Sequence, residues 1–143
     1  MAAIQFFNAD IEFTLKDKGI LRRLLLKVFE TEGKKLEAMT YVFCSDDYLH
    51  GLNVSYLDHD TLTDIITFDL SEKGLQRISA EIYISVERVE ENAKKLGIGK
   101  ELEMRRVMLH GVLHLCGYKD KKKSEITIMR EKEDYYLRFL ETK

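Results

Sequence analysis

The sequence contains no proline, no tryptophan and only two cysteines among its 143 residues. Two cysteines cannot form the dense disulfide framework of small secreted domains, so we expect Cys44 and Cys116 to be small buried hydrophobic residues. No segment approaches the roughly 18 consecutive apolar residues that a membrane-spanning helix needs. The segment from Met1 to Asn8 also lacks the basic and apolar parts of a secretory signal. These absences predict a cytoplasmic protein with no membrane partner.

Charge of neither sign dominates the chain. Lys and Arg number 23, Asp and Glu number 25, and the formal net charge is -2. Such a balance creates no overall positive field that would attract nucleic acid, so any RNA contact must be local. Hydrophobic residues make up 45% of the chain and charged residues 34%, which is typical of a globular protein. At this length we expect one domain over residues 1–143.

The spacing of hydrophobic residues predicts short strands mixed with helices. Residues 4–7 and 11–13 alternate as a strand or a hairpin does, and further strands are predicted at 38–44, 63–69 and 78–85. Helices are predicted at 16–32, 45–56, 86–96, 100–116 and 124–140. The predicted fold class is therefore α+β, with a small mixed sheet of four strands and about five helices packed on it. The helix over 100–116 is expected to lie in the core.

That helix ends in a segment with unusual chemistry, which runs from His110 to Asp120. His110 and His114 stand four residues apart, so a helix places both imidazoles on one face as a metal clamp does. Gly117 permits a left-handed helix ending, after which Asp120 can return as a third ligand. Three protein ligands with an open position for water are typical of catalytic zinc. We therefore predict one zinc ion per chain, although nickel, cobalt or iron would suit the same ligands.

The spacing also matches the extended zinc-peptidase pattern His-x-x-x-His-x-x-Gly-x-x-His, with Asp120 in the last place. Those peptidases carry glutamate directly after the first histidine as a general base, and here that residue is Gly111. Glycine cannot transfer a proton. A zinc metalloprotease or another zinc hydrolase is therefore an alternative that needs a base from elsewhere in the chain. Asp64 and Glu81 are the candidate catalytic carboxylates.

The segment from His110 to Tyr118 resembles the signature of the YbeY family, which comprises metal-dependent endoribonucleases of bacterial ribosomal RNA maturation. Further matches in the family's order are Leu52-Asn53 with Tyr56, Thr63 to Phe68, Ala80 to Ile82 and Glu91 to Ala93. The resemblance implies a zinc-dependent endoribonuclease that cuts single-stranded RNA in rRNA maturation and ribosome quality control. It also implies the ribosome or ribosomal proteins as partners. We expect the chain to be a monomer. A ribosome-associated factor with a purely structural metal is a further alternative.

The chain departs from the family pattern at three places. Asp120 stands where the family usually has histidine, and Ala80-Glu81 replaces Gly-Asp, which weakens the case for Glu81. Leu57 replaces an arginine that is suited to bidentate phosphate contact. Tyr56 or Tyr118 could stack on bases, and His59 is a better functional candidate than His50. The candidate RNA-binding residues are Lys119, Lys121, Lys122 and Arg105.

Overall fold

The computed structural model describes residues 3–57, 63–72, 74 and 76–141. Within these residues the strands are β1 (Ile4–Asn8), β2 (Lys35–Cys44), β3 (Ile65–Asp69) and β4 (Arg77–Ser85). The helices are α1 (Lys18–Thr31), α2 (Asp46–Leu57), α3 (Val86–Leu96), α4 (Lys100–Leu115) and α5 (Lys123–Glu141). This confirms the predicted α+β class, with four strands and five helices in the part of the chain that is described. None of the described helices is both long and apolar enough to cross a membrane.

The sheet is mixed and its strands lie in the order β1-β2-β4-β3. β1 and β2 are parallel, β2 and β4 are parallel, and β3 is antiparallel to β4. The alternative that residues 4–13 form a hairpin is therefore wrong, because β1 pairs with β2 across the connection through α1. Ile11 and Phe13 instead pack against the hydrophobic core as partly buried side chains.

The core lies between one face of the sheet and the helices α1, α4 and α5. Side chains alternate along a strand, so Ala80, Ile82 and Ile84 of β4 enter this core together. From α4 the core receives Val107, Met108, Leu109, Val112 and Leu113, all of them buried. Each fully buried aliphatic side chain contributes about 1.5 to 3 kcal/mol to folding. The prediction that the motif helix lies in the core is confirmed.

At Gly111 the helix α4 packs closely against the sheet. A Cβ at this position would lie 3.0 Å from Cδ1 of Ile65, 3.0 Å from Cδ1 of Ile82 and 3.3 Å from Oγ1 of Thr67. A glycine inside a helix costs about 1 kcal/mol relative to alanine, and here the close packing offsets that cost. The residue after the first histidine is therefore small because the sheet occupies the space that a side chain would need.

Gly111→Glu is expected to lower the free energy of unfolding by about 3 kcal/mol or more, because it overpacks this contact and buries a carboxylate among apolar groups. Urea unfolding measures the change. Gly51→Glu in α2 is the matched control, since nothing lies within 4 Å of a Cβ at that exposed position. Equal unfolding midpoints for the two variants would contradict the role assigned to Gly111.

Candidate metal centre

The end of α4 turns the chain back toward its own histidines. Gly117 has a φ of 108°, which is in the left-handed region. Its N–H donates to the carbonyl of His114 at 3.0 Å, and the N–H of Tyr118 donates to the carbonyl of Leu113 at 3.0 Å. This pair of hydrogen bonds is a Schellman ending, which satisfies carbonyls that the helix leaves unpaired. The turn carries Asp120 back alongside the last two turns of α4.

Three side-chain atoms converge at this point. His110 Nε2 lies 3.1 Å from His114 Nε2 and 3.0 Å from Asp120 Oδ2, and His114 Nε2 lies 3.3 Å from Asp120 Oδ2. Ligand atoms around a tetrahedral zinc ion, each about 2.0 to 2.1 Å from it, stand roughly 3.3 Å apart. Within the described ranges, this is the single group of three or more His, Cys, Asp or Glu side chains that could hold a metal ion. The spacing and the donor types both fit such an ion.

Glu133 of α5 orients the first histidine. His110 Nδ1 lies 2.7 Å from Glu133 Oε2, so the ring donates its Nδ1 proton there and directs the Nε2 lone pair at the other two ligands. The buried carboxylate also accepts from Arg106 Nη1 at 3.1 Å. Neither Glu133 nor Arg106 was predicted from the sequence as a residue of this site. The sequence signal for Glu133 is its spacing, because it lies four residues after Met129 and three before Tyr136, on the apolar face of the last helix.

The charges around His110 change its protonation. Burial lowers the pKa of this imidazole, but the hydrogen bond and charge of Glu133, together with the charge of Asp120, outweigh that effect. The pKa of His110 therefore lies above its ordinary value. Protons and a metal ion compete for the same Nε2 atom, so acid is expected to weaken metal binding.

Asp64 is the predicted catalytic residue that lies beside the three ligands. It immediately precedes β3, and its backbone carbonyl accepts from the N–H of Ser85 at 3.0 Å. Burial raises the pKa of its carboxyl group, although a hydrogen bond from Asn92 and the charge of His110 act in the other direction. A groove of about 760 Å³ adjoins it, which is the size of an ordinary ligand site. The groove is lined by Asn53, Thr63, Asp64, Thr67, Asp69, His110, His114, Asp120 and Lys121, among others.

Glu81 does not lie at this site, which corrects the expectation that it is a candidate base. In β4 its neighbours Ala80 and Ile82 enter the core beneath α4. Because successive side chains of a strand point to opposite faces, Glu81 lies on the far face of the sheet. There its Oε1 accepts a hydrogen bond from the hydroxyl of Tyr83 at 3.1 Å.

Arg105, a predicted RNA-binding residue, is separated from the three converging side chains. Its guanidinium lies 3.1 Å from the carboxylate of Asp17. It lines a different, more apolar cavity of about 270 Å³, which Phe13 and Met104 also line and which contains none of the three ligands. The three converging side chains line the larger groove instead. The cations of the cleft around His110 are Arg106 and Arg130.

Lys119, Lys121 and Lys122 are exposed next to the returning turn, and Lys121 lines the groove. The backbone N–H groups of Lys121 and Lys122 donate to Glu125 Oε1 at 3.2 Å and 2.9 Å. This interaction caps the start of α5 and leaves the ammonium groups available to a ligand. His59 and the side chain of Leu57 lie outside the described residues.

Cys116 and Tyr118 belong to the core rather than to the groove. Cys116 is buried, and burial raises the pKa of its thiol to about 12. A neutral thiol is a poor metal ligand, which agrees with the prediction that Cys116 faces away from the histidines. The ring of Tyr118 packs on the core and its hydroxyl donates to Glu32 Oε1 at 2.8 Å. The hydroxyl of Tyr118 is therefore directed to Glu32.

The fold and the site together define a small α+β protein with a candidate metal centre on a core helix. The family model described as Endoribonuclease YbeY matches residues 4–141. This chain belongs to the YbeY endoribonuclease family.

Individual proteins that are similar to this chain carry the same family name or share its fold. Endoribonuclease YbeY of Flavobacterium johnsoniae is 48% identical, over 90% of this chain and 91% of the relative. Endoribonuclease YbeY of Amoebophilus asiaticus is 44% identical, over 95% and 92%. The solution structure of TM1509 from Thermotoga maritima is similar with a TM-score of 0.59 and 29% identity, covering 93% of this chain and 85% of that chain.

The contact between Glu133 and His110 predicts a pH-dependent effect in the presence of a chelator. The folded pKa of His110 is raised above the ordinary value of 6.5. Its protonated form therefore stabilises the fold below that pH, and this contribution is lost as the pH rises through the folded pKa. Glu133→Gln should consequently lower the free energy of unfolding more at pH 6 than at pH 8.

Urea unfolding with a chelator at the two pH values measures this difference. Glu131→Gln, on the exposed side of the same helix, is the control and should show no such pH dependence. A loss caused by Glu133→Gln that is equal at both pH values, or larger at pH 8, would contradict the assigned contact.

Proposed function

We propose that this protein is a zinc-dependent endoribonuclease that cleaves single-stranded RNA in ribosomal RNA maturation and ribosome quality control. The observation that carries the proposal is the convergence of His110, His114 and Asp120 beside an open groove, in a chain of the YbeY endoribonuclease family. In this proposal residues 1–143 act as one monomeric cytoplasmic domain. The ribosome or ribosomal proteins are its partners.

Two imidazoles and one carboxylate are ordinary ligands of zinc, and His110, His114 and Asp120 would hold the ion. When bound, zinc supplies Lewis-acid polarisation of a phosphoryl oxygen and a more acidic water molecule. A structural zinc is usually closed by four protein ligands. Here the converging side chains of His110, His114 and Asp120 are 23%, 33% and 36% exposed to solvent. Their exposure to the groove favours a catalytic role over a purely structural one.

Asp64 is the proposed proton-transfer group. It lines both the groove and the adjoining cleft around His110. Burial raises its pKa toward the range in which carboxyl groups exchange protons during catalysis. No equivalent group can come from position 111, where the packing against Ile65 and Ile82 leaves no room for a side chain.

RNA would be held by local contacts next to the ligands. Lys119, Lys121 and Lys122 place three ammonium groups near the turn that carries Asp120, where they can neutralise phosphates. Tyr56, at the end of α2, is 70% exposed, and its ring contacts the ring of Phe68 with centroids 6.2 Å apart. An exposed aromatic ring of this kind can stack on an unpaired base.

Asp120→Asn is expected to lower zinc content and the cleavage of a single-stranded RNA oligonucleotide together, because an amide is a much weaker ligand than a carboxylate. Asp120→His, which restores the usual residue of the family, should recover both. Elemental analysis and gel-resolved cleavage measure the two quantities on the same preparations. Asp47→Asn, at an exposed position in the first turn of α2, is the control.

Full RNA cleavage by a metal-free preparation would contradict the proposal. The same preparations are incubated with unstructured peptides, because the ligand spacing also matches zinc peptidases. Hydrolysis of peptides in place of RNA would show that the protein is a peptidase.

Asp64→Asn is expected to reduce the rate of RNA cleavage by about 10²- to 10⁴-fold, which is the usual contribution of a general acid or base. Zinc content should stay at the wild-type value, since Asp64 is not one of the three converging ligands. Glu81→Gln serves as the paired control on the far face of the sheet. Equal rates for the Asp64 variant and wild type would exclude Asp64 as the proton-transfer group.

A further inference from the structure

Glu32 links three helices from a position outside the groove. It directly follows α1, and its side chain is only 13% exposed. Its Oε1 accepts from the hydroxyl of Tyr118 at 2.8 Å, and its Oε2 accepts from the hydroxyl of Tyr136 in α5. Lys132 Nζ, also in α5, lies 3.8 Å from the same Oε2. A single carboxylate therefore connects α1 and α5 with the turn that follows α4.

Tyr118 is the part of this cluster closest in sequence to the metal ligands. Its backbone N–H completes the Schellman ending of α4, and its ring packs on the core. Lys132 Nζ lies 5.6 Å from the centroid of that ring. Only Lys119 separates Tyr118 from Asp120. Two residues of chain span about 7 Å at most, so the position of Tyr118 limits where the backbone of Asp120 can lie.

The same cluster also holds the helix that orients His110. Tyr136 is fully buried and Lys132 precedes Glu133, whose carboxylate accepts from the His110 ring. Glu32 thus contacts the segment that carries the third ligand and the helix that fixes the first ligand. Its own contacts are with the two tyrosines and Lys132.

We infer that Glu32 is a positioning residue of the metal centre, which fixes Tyr118 so that the Asp120 carboxylate faces His110 and His114. The inference rests on the metal centre of the proposed function. Hydrogen bonds from hydroxyl groups to a carboxylate are short and strong, and such bonds lock the geometry of a site through its supporting residues. Burial raises the pKa of Glu32, but the two tyrosine hydrogen bonds and Lys132 outweigh it and hold the pKa below its usual value. The acceptor therefore stays ionised.

Tyr118→Phe tests the inference, because it removes the hydroxyl and keeps the ring. The matched control is Tyr41→Phe: the Tyr41 hydroxyl is fully buried and donates to the carbonyl of Met108 in α4 at 2.8 Å. Both variants should lower the thermal midpoint of the full chain. Only Tyr118→Phe is expected to weaken Co²⁺ binding, by roughly tenfold, and to change the visible absorption of the cobalt protein. Glu32→Gln should change both in the same direction, since an amide cannot accept from both tyrosines in the same way.

A double-mutant cycle shows whether the effect passes through Asp120. In an Asp120→Asn background, Tyr118→Phe is expected to cause no further loss of Co²⁺ affinity. The inference is overturned by an unchanged affinity and spectrum in Tyr118→Phe, or by a full tenfold loss in the Asp120→Asn background. A protein that binds cobalt in this pattern but cuts no RNA would overturn the proposed function alone. A wild-type protein that binds no metal would overturn both.

Discussion

The close approach of α4 to the sheet at Gly111 is the constraint on which the rest of this structure depends. Without a side chain at that position, the helix lies directly on Ile65 and Ile82. The histidines on either side of the contact are thereby held next to the start of β3, where Asp64 lies. Apolar packing thus sets the relation between the ligands and the sheet. Because position 111 is glycine, the helix supplies no general base directly after the first histidine, and the proton transfer proposed for this site is assigned to Asp64 at the edge of the sheet.

Two buried or largely buried carboxylates, Glu133 and Glu32, have charged or hydroxyl partners, and these contacts offset the free-energy cost of their burial. A buried carboxylate without partners would destabilise the fold by several kcal/mol. Glu133 instead contacts His110 and Arg106, and Glu32 contacts two tyrosines and Lys132. The Glu133 cluster ties α5 to the helix that carries the histidines, and the Glu32 cluster ties α5 to the turn that follows that helix. The last helix therefore packs around the candidate metal centre although it contributes none of the three converging side chains.

The departures from the family pattern change the electrostatics of the site. With Asp120 in place of a histidine, the three converging side chains carry one more negative charge, which favours cation binding and leaves less positive charge for a phosphate group. The arginine that the family pattern places directly after the tyrosine is also missing, since this chain has leucine at position 57. Lysines follow the returning turn instead, and their ammonium groups act as point charges without the bidentate fork of a guanidinium. Phosphate recognition by this chain would then depend less on geometry and more on salt concentration.

Apart from the strand suggested at residues 11–13, the sequence alone was enough to predict each helix and strand to within three residues of its observed ends. It was also enough to predict the three side chains that converge, because helix and strand periods and the spacing from His110 to Asp120 are local properties. Tertiary structure decided which residues join them. Asp64 and Glu81 are both carboxylates near strands, but the register and faces of β3 and β4 bring only Asp64 to the groove. Arg105 and Arg106 are neighbours in sequence, yet about 100° apart around α4, so only Arg106 meets Glu133. Distant parts of the chain are joined by the parallel pairing of β1 and by the contacts of Glu32 and Glu133. Such partners are selected by packing and not by local spacing.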